Sequence, residues 1–109
     1  MKKEFVIYAV NIWIDNRKAD EWKKWMIDVH IPDVLETGLF ENCSLSEILE
    51  PLKKGKKGYN IRYRLSGEDK LKRYQDQYAD DLQRAHSTRY QGHYEAERRV
   101  YTGTELTID

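Results

Sequence analysis

The sequence predicts an α+β domain of the ferredoxin-like kind, a βαββαβ sandwich in which a four-stranded antiparallel sheet carries two helices on one face. Three observations carry that expectation. At 109 residues the chain has the size of one domain, spanning residues 1–109. Its 3 Trp, 8 Tyr and 2 Phe supply the bulky burial that disordered chains lack, although 35% of the residues are charged. Stretches of period-two and helical patterning then alternate along two halves of similar length.

Taken in order, Phe5 to Ile14 is a strand with apolar residues on both faces. Val6, Tyr8, Val10, Ile12 and Ile14 alternate with Phe5, Ile7, Ala9 and Trp13, so both faces need cover. Following Lys2 and Lys3 the run resembles the start of a signal peptide. Asn11 within it, Asp15 at its end and the lack of a small-residue cleavage site favour a cytoplasmic strand instead, and the run is far too short for a membrane span. Asp15-Asn16 offers turn and N-cap chemistry for a helix over about 17–30, striped by Trp22, Trp25, Met26 and Val29. Pro32 ends that helix or opens a new turn, and Pro32 to Gly38 reads as a short second helical piece.

Phe40 to Leu49 is a strand with Cys43, Leu45 and Leu49 on one side, and Pro51 to Gly58 is a hairpin connection whose glycines permit positive φ. Tyr59 to Leu65 is the clearest strand: Tyr59, Ile61, Tyr63 and Leu65 face one way, Asn60, Arg62 and Arg64 the other. Ser66, with Asp69, caps a helix striped by Leu71, Tyr74, Tyr78, Leu82 and Ala85 that runs to about Tyr90, with Gly92 closing it. Tyr94 to Ile108 is the last strand, with Gly103 as a bulge or bend. With both helices on one side the sheet keeps a naked face. Leaving Phe5, Ile7 and Trp13 in water is costly at roughly 25 cal/mol per Å², so a homodimer through that face is expected.

Charge and cysteine content narrow the function classes. The 19 basic residues balance 19 acidic ones, so no net field draws in nucleic acid or an anionic membrane, and neither partner is expected. Lys53, Lys54, Lys56 and Lys57 form the one concentrated positive run, read as a solvated hairpin tip. Cys43 is the single cysteine, which fits a reducing compartment and excludes an internal disulfide. Three dispersed histidines lack metal-ligand spacing, so no metal site is expected. No glycine-rich phosphate loop, dinucleotide fingerprint or serine elbow occurs, and no cofactor is expected.

Two histidines remain as candidates for acid–base chemistry. His30 falls at a helix end one residue past the apolar stripe; the alternative is a ring that packs on Trp25 or satisfies terminal carbonyls. His86 lies one helical turn before Tyr90, and its alternative is a structural histidine. If both rings reach one cavity they form a proton-transfer pair. His93 falls in a turn and receives no role. Trp25, Arg62, Arg64, Tyr90 and Arg98 are the ligand-contact candidates. Arg62 and Arg64 either clamp a carboxylate or phosphate or pair with Glu95 and Glu97 across strands. Trp22 and Trp25 with Tyr74 and Tyr78 read as core before they read as an aromatic pocket.

The stretch Trp22-x-x-Trp25-Met26 followed by His30-Ile31-Pro32-Asp33-Val34-Leu35-x-Thr37-Gly38-x-Phe40 resembles a bacterial family known as domain of unknown function 4286. The likeness extends through Leu82-x-x-x-His86-x-x-Arg89-Tyr90 to Arg98, and departs at Glu97, where an aromatic is usual. The resemblance implies a small dimeric α+β barrel and brings no activity. Three function classes stay open: a dimeric protein binding a small polar or aromatic molecule in a pocket by the sheet face, a cofactor-independent isomerase or oxygenase-like enzyme using His30 or His86, and a structural or regulatory dimer without a ligand. A solvent-reachable pocket lined by either histidine favours the second over the first.

Overall fold

Alternation on the first strand decides the architecture. In the computed structural model, which describes residues 2–108, β1 spans Lys2–Asp15 and pairs antiparallel with β3 (Lys56–Leu65) on one side and β4 (Tyr94–Leu106) on the other. β2 (Asn42–Ile48) pairs antiparallel with β3, giving the order β2-β3-β1-β4. Val6, Tyr8, Val10, Ile12 and Ile14 of β1 and Tyr59, Ile61, Tyr63 and Leu65 of β3 face the helices and form the core with Trp22, Met26, Val34, Leu71, Tyr74 and Tyr90. The α+β expectation and the facing of both central strands hold.

The first helical run departs from expectation in a way that matters for the site. A 3-10 turn (Asn16–Lys18) leads into α1 (Ala19–Trp25), a π-helical turn (Met26–His30) and α2 (Ile31–Leu35), with helical dihedrals at each junction. Pro32 therefore does not end the helix. The Ile31 N–H reaches back to Met26 O, five residues earlier, and Pro32 sits in the first turn of α2, where a missing N–H is tolerated. The wider turn rephases the stripe: buried positions step from Trp22 to Met26, then to Ile31 and Val34, which leaves Val29 exposed and turns His30 partly inward. Asp15 makes no cap hydrogen bond; its carboxylate holds His93 Nδ1 at 3.1 Å and Lys56 Nζ at 3.2 Å.

The second helix is two. α3 (Glu68–Gln77) and α4 (Ala79–Tyr90) break at Tyr78, where φ is −128°. Gly67, not Ser66, precedes α3, and no side chain caps it. The break shifts the buried face from Leu71 and Tyr74 to Ala79, His86 and Tyr90, so Ala85 lies exposed and His86 is buried. Leu49 also falls outside β2 and is exposed.

The outer sheet face is less naked than the composition suggested. Ile7, Ala9 and Trp13 are buried within the single chain. Trp13 lies flat over its cross-strand partner Gly58, and Phe5 over Gly103; a Cβ on either glycine would stand 2.4 or 2.5 Å from the ring. Gly103 is thus in regular register rather than a bulge, and Gly58, unlike Gly55 with φ +76°, needs no positive φ. Lys53 lies over the Trp13 ring at 4.8 Å and Arg64 over Phe5 at 4.0 Å, their stems roofing the aromatics.

Candidate functional site

Between the helices and the sheet lies a cavity of about 30 Å³, room for one or two waters. Its floor is apolar, from Val10, Ile12 and Ile61 of the sheet, with Met26 and Val34 opposite. Its polar lining is His30, His86, Gln83, Arg98 and the rings of Tyr8, Tyr63 and Tyr74. His30 and Gln83 are half-buried and Arg98 is exposed, so these three form the solvent side.

The π turn delivers His30 and the rephased α4 delivers His86, and their ring centroids are 5.8 Å apart. His30 stacks on Trp25 at 5.0 Å and 24°. His86, 4% exposed, accepts a 2.9 Å hydrogen bond at Nε2 from the indole N–H of fully buried Trp22. An indole nitrogen only donates, so His86 Nε2 is unprotonated and the neutral ring carries its proton on Nδ1. Burial, then the neighbouring His30 and Arg98, hold the His86 pKa down at about 4. Burial also lowers that of His30, with Asp33 opposing and Arg98 adding to the shift. Both rings are therefore neutral at pH 7. Burial raises the Tyr63 and Tyr74 phenols, which stay protonated.

Of the seven residues singled out in the sequence, the structure brings His30, His86 and Arg98 to this cavity. Arg98 stands opposite Val10 on the inner side of β4. Trp25 and Tyr90 belong to the packing behind the histidines: Tyr90 is buried edge-on to Trp25 at 5.6 Å, and Arg89 lies over the Trp25 ring at 5.3 Å. Arg62 and Arg64 lie on the opposite face of the sheet. There Arg64 pairs with Glu41 at 3.6 Å and Glu105 at 3.4 Å, and Arg62 lies over Tyr101 at 5.7 Å. The alternative offered for these arginines, pairing with Glu95 and Glu97, does not form: Lys53 takes Glu95 at 3.0 Å and Arg99 takes Glu97. Asn11 and Asn60 complete that face through a 2.7 Å side-chain hydrogen bond.

Tyr8, Tyr63 and Gln83 line the cavity without having been singled out as site residues from the sequence, and Trp22 touches it only through His86. Trp22 was legible as core, but its hydrogen-bond partner lies 64 positions away, beyond any periodicity. Among the described residues no group of three or more His, Cys, Asp or Glu could hold a metal. Three of the four clustered lysines are paired with carboxylates, Lys53 with Glu95, Lys56 with Asp15 and Lys57 with Glu47. Burial pushes the Cys43 thiol up to about 11, which makes it unreactive at neutral pH. Among the described residues no helix is long and apolar enough to cross a membrane.

Solved structures share this architecture. A protein of Shewanella oneidensis has 11% identity and a TM-score of 0.65, over 97% of this chain and 100% of that one. SnoaB, a cofactor-independent oxygenase from Streptomyces nogalater, has 14% identity and a TM-score of 0.64, over 94% and 96%. HapK from Hahella chejuensis has 12% identity and a TM-score of 0.59, over 97% and 95%. At these identities the likeness is one of fold, the ferredoxin-like α+β arrangement. The search of curated proteins gave no match. Residues 5–103 match the family model described as Domain of unknown function (DUF4286), and the chain belongs to that family.

Proposed function

We propose that the protein is a homodimer that binds a small polar or aromatic molecule at the inner cavity and moves a proton on it without a cofactor, with His30 as the base. The observation that carries this reading is the meeting of His30 and His86 at 5.8 Å in one cavity with a solvent side, the feature that favours an enzyme over a simple binding protein. His30 is the half-buried member of the pair, is held neutral by burial, and has Asp33 nearby to favour the imidazolium it becomes. The likeness of fold to SnoaB, a cofactor-independent oxygenase, is consistent with chemistry done by side chains alone. A cavity of about 30 Å³ admits a reacting group and not a whole aromatic molecule, so the substrate body rests at the mouth, by Gln83 and Arg98. The lone thiol is consistent with a cytoplasmic setting.

The test is exchange of solvent deuterium into the acidic C–H of acetylacetone and the ring C–H of 1-naphthol, followed by NMR. Wild-type protein is expected to accelerate exchange, and His30→Gln to lose about 100-fold or more of that acceleration. No acceleration with either probe, or equal rates in the variant, removes the proton-transfer reading.

A further inference from the structure

We propose that Trp22 fixes His86 as a neutral hydrogen-bond donor, so that the cavity recognises an oxyanion of the enolate or phenolate class formed beside it. This rests on the cavity being the reacting site. The indole N–H of Trp22 is fully buried and has a single acceptor, His86 Nε2, at 2.9 Å. Protonating Nε2 would set two N–H groups against each other away from water and strand the indole donor, at the cost of an unsatisfied buried group. His86 therefore has its only lone pair engaged and cannot serve as a base. Its remaining polar atom, Nδ1–H, has no hydrogen-bond partner among the described residues, on a ring that lines the cavity.

The two histidines thus have unlike roles. A C–H or O–H bond of the substrate breaks and its proton goes to the free ring nitrogen of His30. From a C–H bond the electron pair moves onto the conjugated oxygen, and from an O–H bond it stays on the oxygen that lost the proton; either oxyanion accepts the His86 N–H. Return of the proton from His30 to another carbon completes an isomerisation with no oxidant. Arg98, at the mouth, adds a positive charge that attracts the same anion. Trp22 is a positioning residue: it acts through the tautomer of His86. The donor His86 presents is a neutral imidazole, which has the strength to hold an oxyanion and keeps its own proton.

Two measurements on the full-length protein test this. In ¹⁵N-histidine NMR at neutral pH, His86 is expected as a single tautomer protonated at Nδ1 and bare at Nε2. In Trp22→Phe, with the amide spectrum showing a retained fold, it is expected to become a tautomer mixture. The second probe is 4-nitrophenol, whose colour reports its own ionisation. Bound to wild type it is expected to favour the phenolate about tenfold over free solution, a shift of about one pKa unit. His86→Phe should lose that preference, and His86→Gln, which can accept from Trp22 and still donate, should keep it. A wild-type His86 protonated at Nε2 overturns the proposal, as does failure to bind 4-nitrophenol or binding without added ionisation. If the tautomer and the phenolate preference hold while no deuterium exchange is catalysed, the oxyanion site stands and the proton-transfer reading falls.

Discussion

At the scale of single residues, the informative atom is Nε2 of His86. A histidine buried beside another histidine and within the field of Arg98 is held neutral, with a pKa near 4. The unfolded chain protonates this side chain near pH 6.5, so between those values the unfolded state binds more protons than the folded one, and stability falls as pH falls. His30 shifts in the same direction. Stability is expected to be full above about pH 6.5 and to decline by roughly 2–3 kcal/mol on acidification to about pH 4. Urea midpoints measured across that range check this, and His86→Gln, which has no proton to gain, should show a visibly shallower slope. An unchanged slope would mean His86 is not held neutral by burial. The sequence offered each histidine two roles, and the structure gives part of both: His30 packs on Trp25 and also lines the cavity, while His86 is at once a buried partner for Trp22 and a cavity wall. Nothing local could separate them, because the deciding contact joins residues on different helices.

At the scale of elements, period-two strands were legible and helix phase was not. Tyr59 to Leu65 shows its faces through alternation alone, and the structure keeps them. The helices were read with one stripe each, whereas the π turn before Pro32 and the break at Tyr78 each rotate the buried face, which is why Val29 and Ala85 are exposed and His86 is inside. Helical periodicity assumes an unbroken 3.6-residue turn, and both candidate histidines lie at or beyond a place where that assumption fails, His30 at the end of the π turn and His86 past the break at Tyr78. The glycines show the same limit. Gly58 and Gly103 were read as turn or bulge residues, but each sits flat in a strand because an aromatic ring from β1 lies across it. This pairing lets Trp13 and Phe5 cover the backbone of their neighbours. Gly58→Ala places a methyl 2.4 Å from the Trp13 ring and is expected to cost about 1–3 kcal/mol in urea unfolding. Combining it with Trp13→Ala should recover part of that cost, since the clash then has no second party. A neutral Gly58→Ala would show that Trp13 is free to swing aside.

At the scale of the whole molecule, the outer face is where the proposed dimer would form. Trp13 and Phe5 are already roofed by Lys53 and Arg64 and Ile7 is buried within the single chain, so simple exposure of Ile7 and Trp13 is not what would drive pairing. What the face retains is extent and self-complementary charge. Four strands about 4.8 Å apart with arms near 33 Å long make a surface on the order of 600 Å², close to the roughly 800 Å² per partner of a stable interface. It carries Arg62, Arg64 and Arg99 beside Glu95 and Glu97, with Tyr101 half exposed among them, so a two-fold axis can set opposite charges against one another. Arg62 has no carboxylate partner within its own chain among the described ion pairs, only the Tyr101 ring, and is the residue with most to gain from a second copy. Sedimentation equilibrium at micromolar concentration is expected to give a dimer, and Arg62→Glu to weaken it at least tenfold without moving the His86 ring signals, because that side chain lies across the sheet from the cavity. A wild-type monomer under those conditions would end the dimer reading. Loss of the His86 signals along with the dimer would mean that the inner cavity depends on pairing, and that the two faces of the sheet act as one unit.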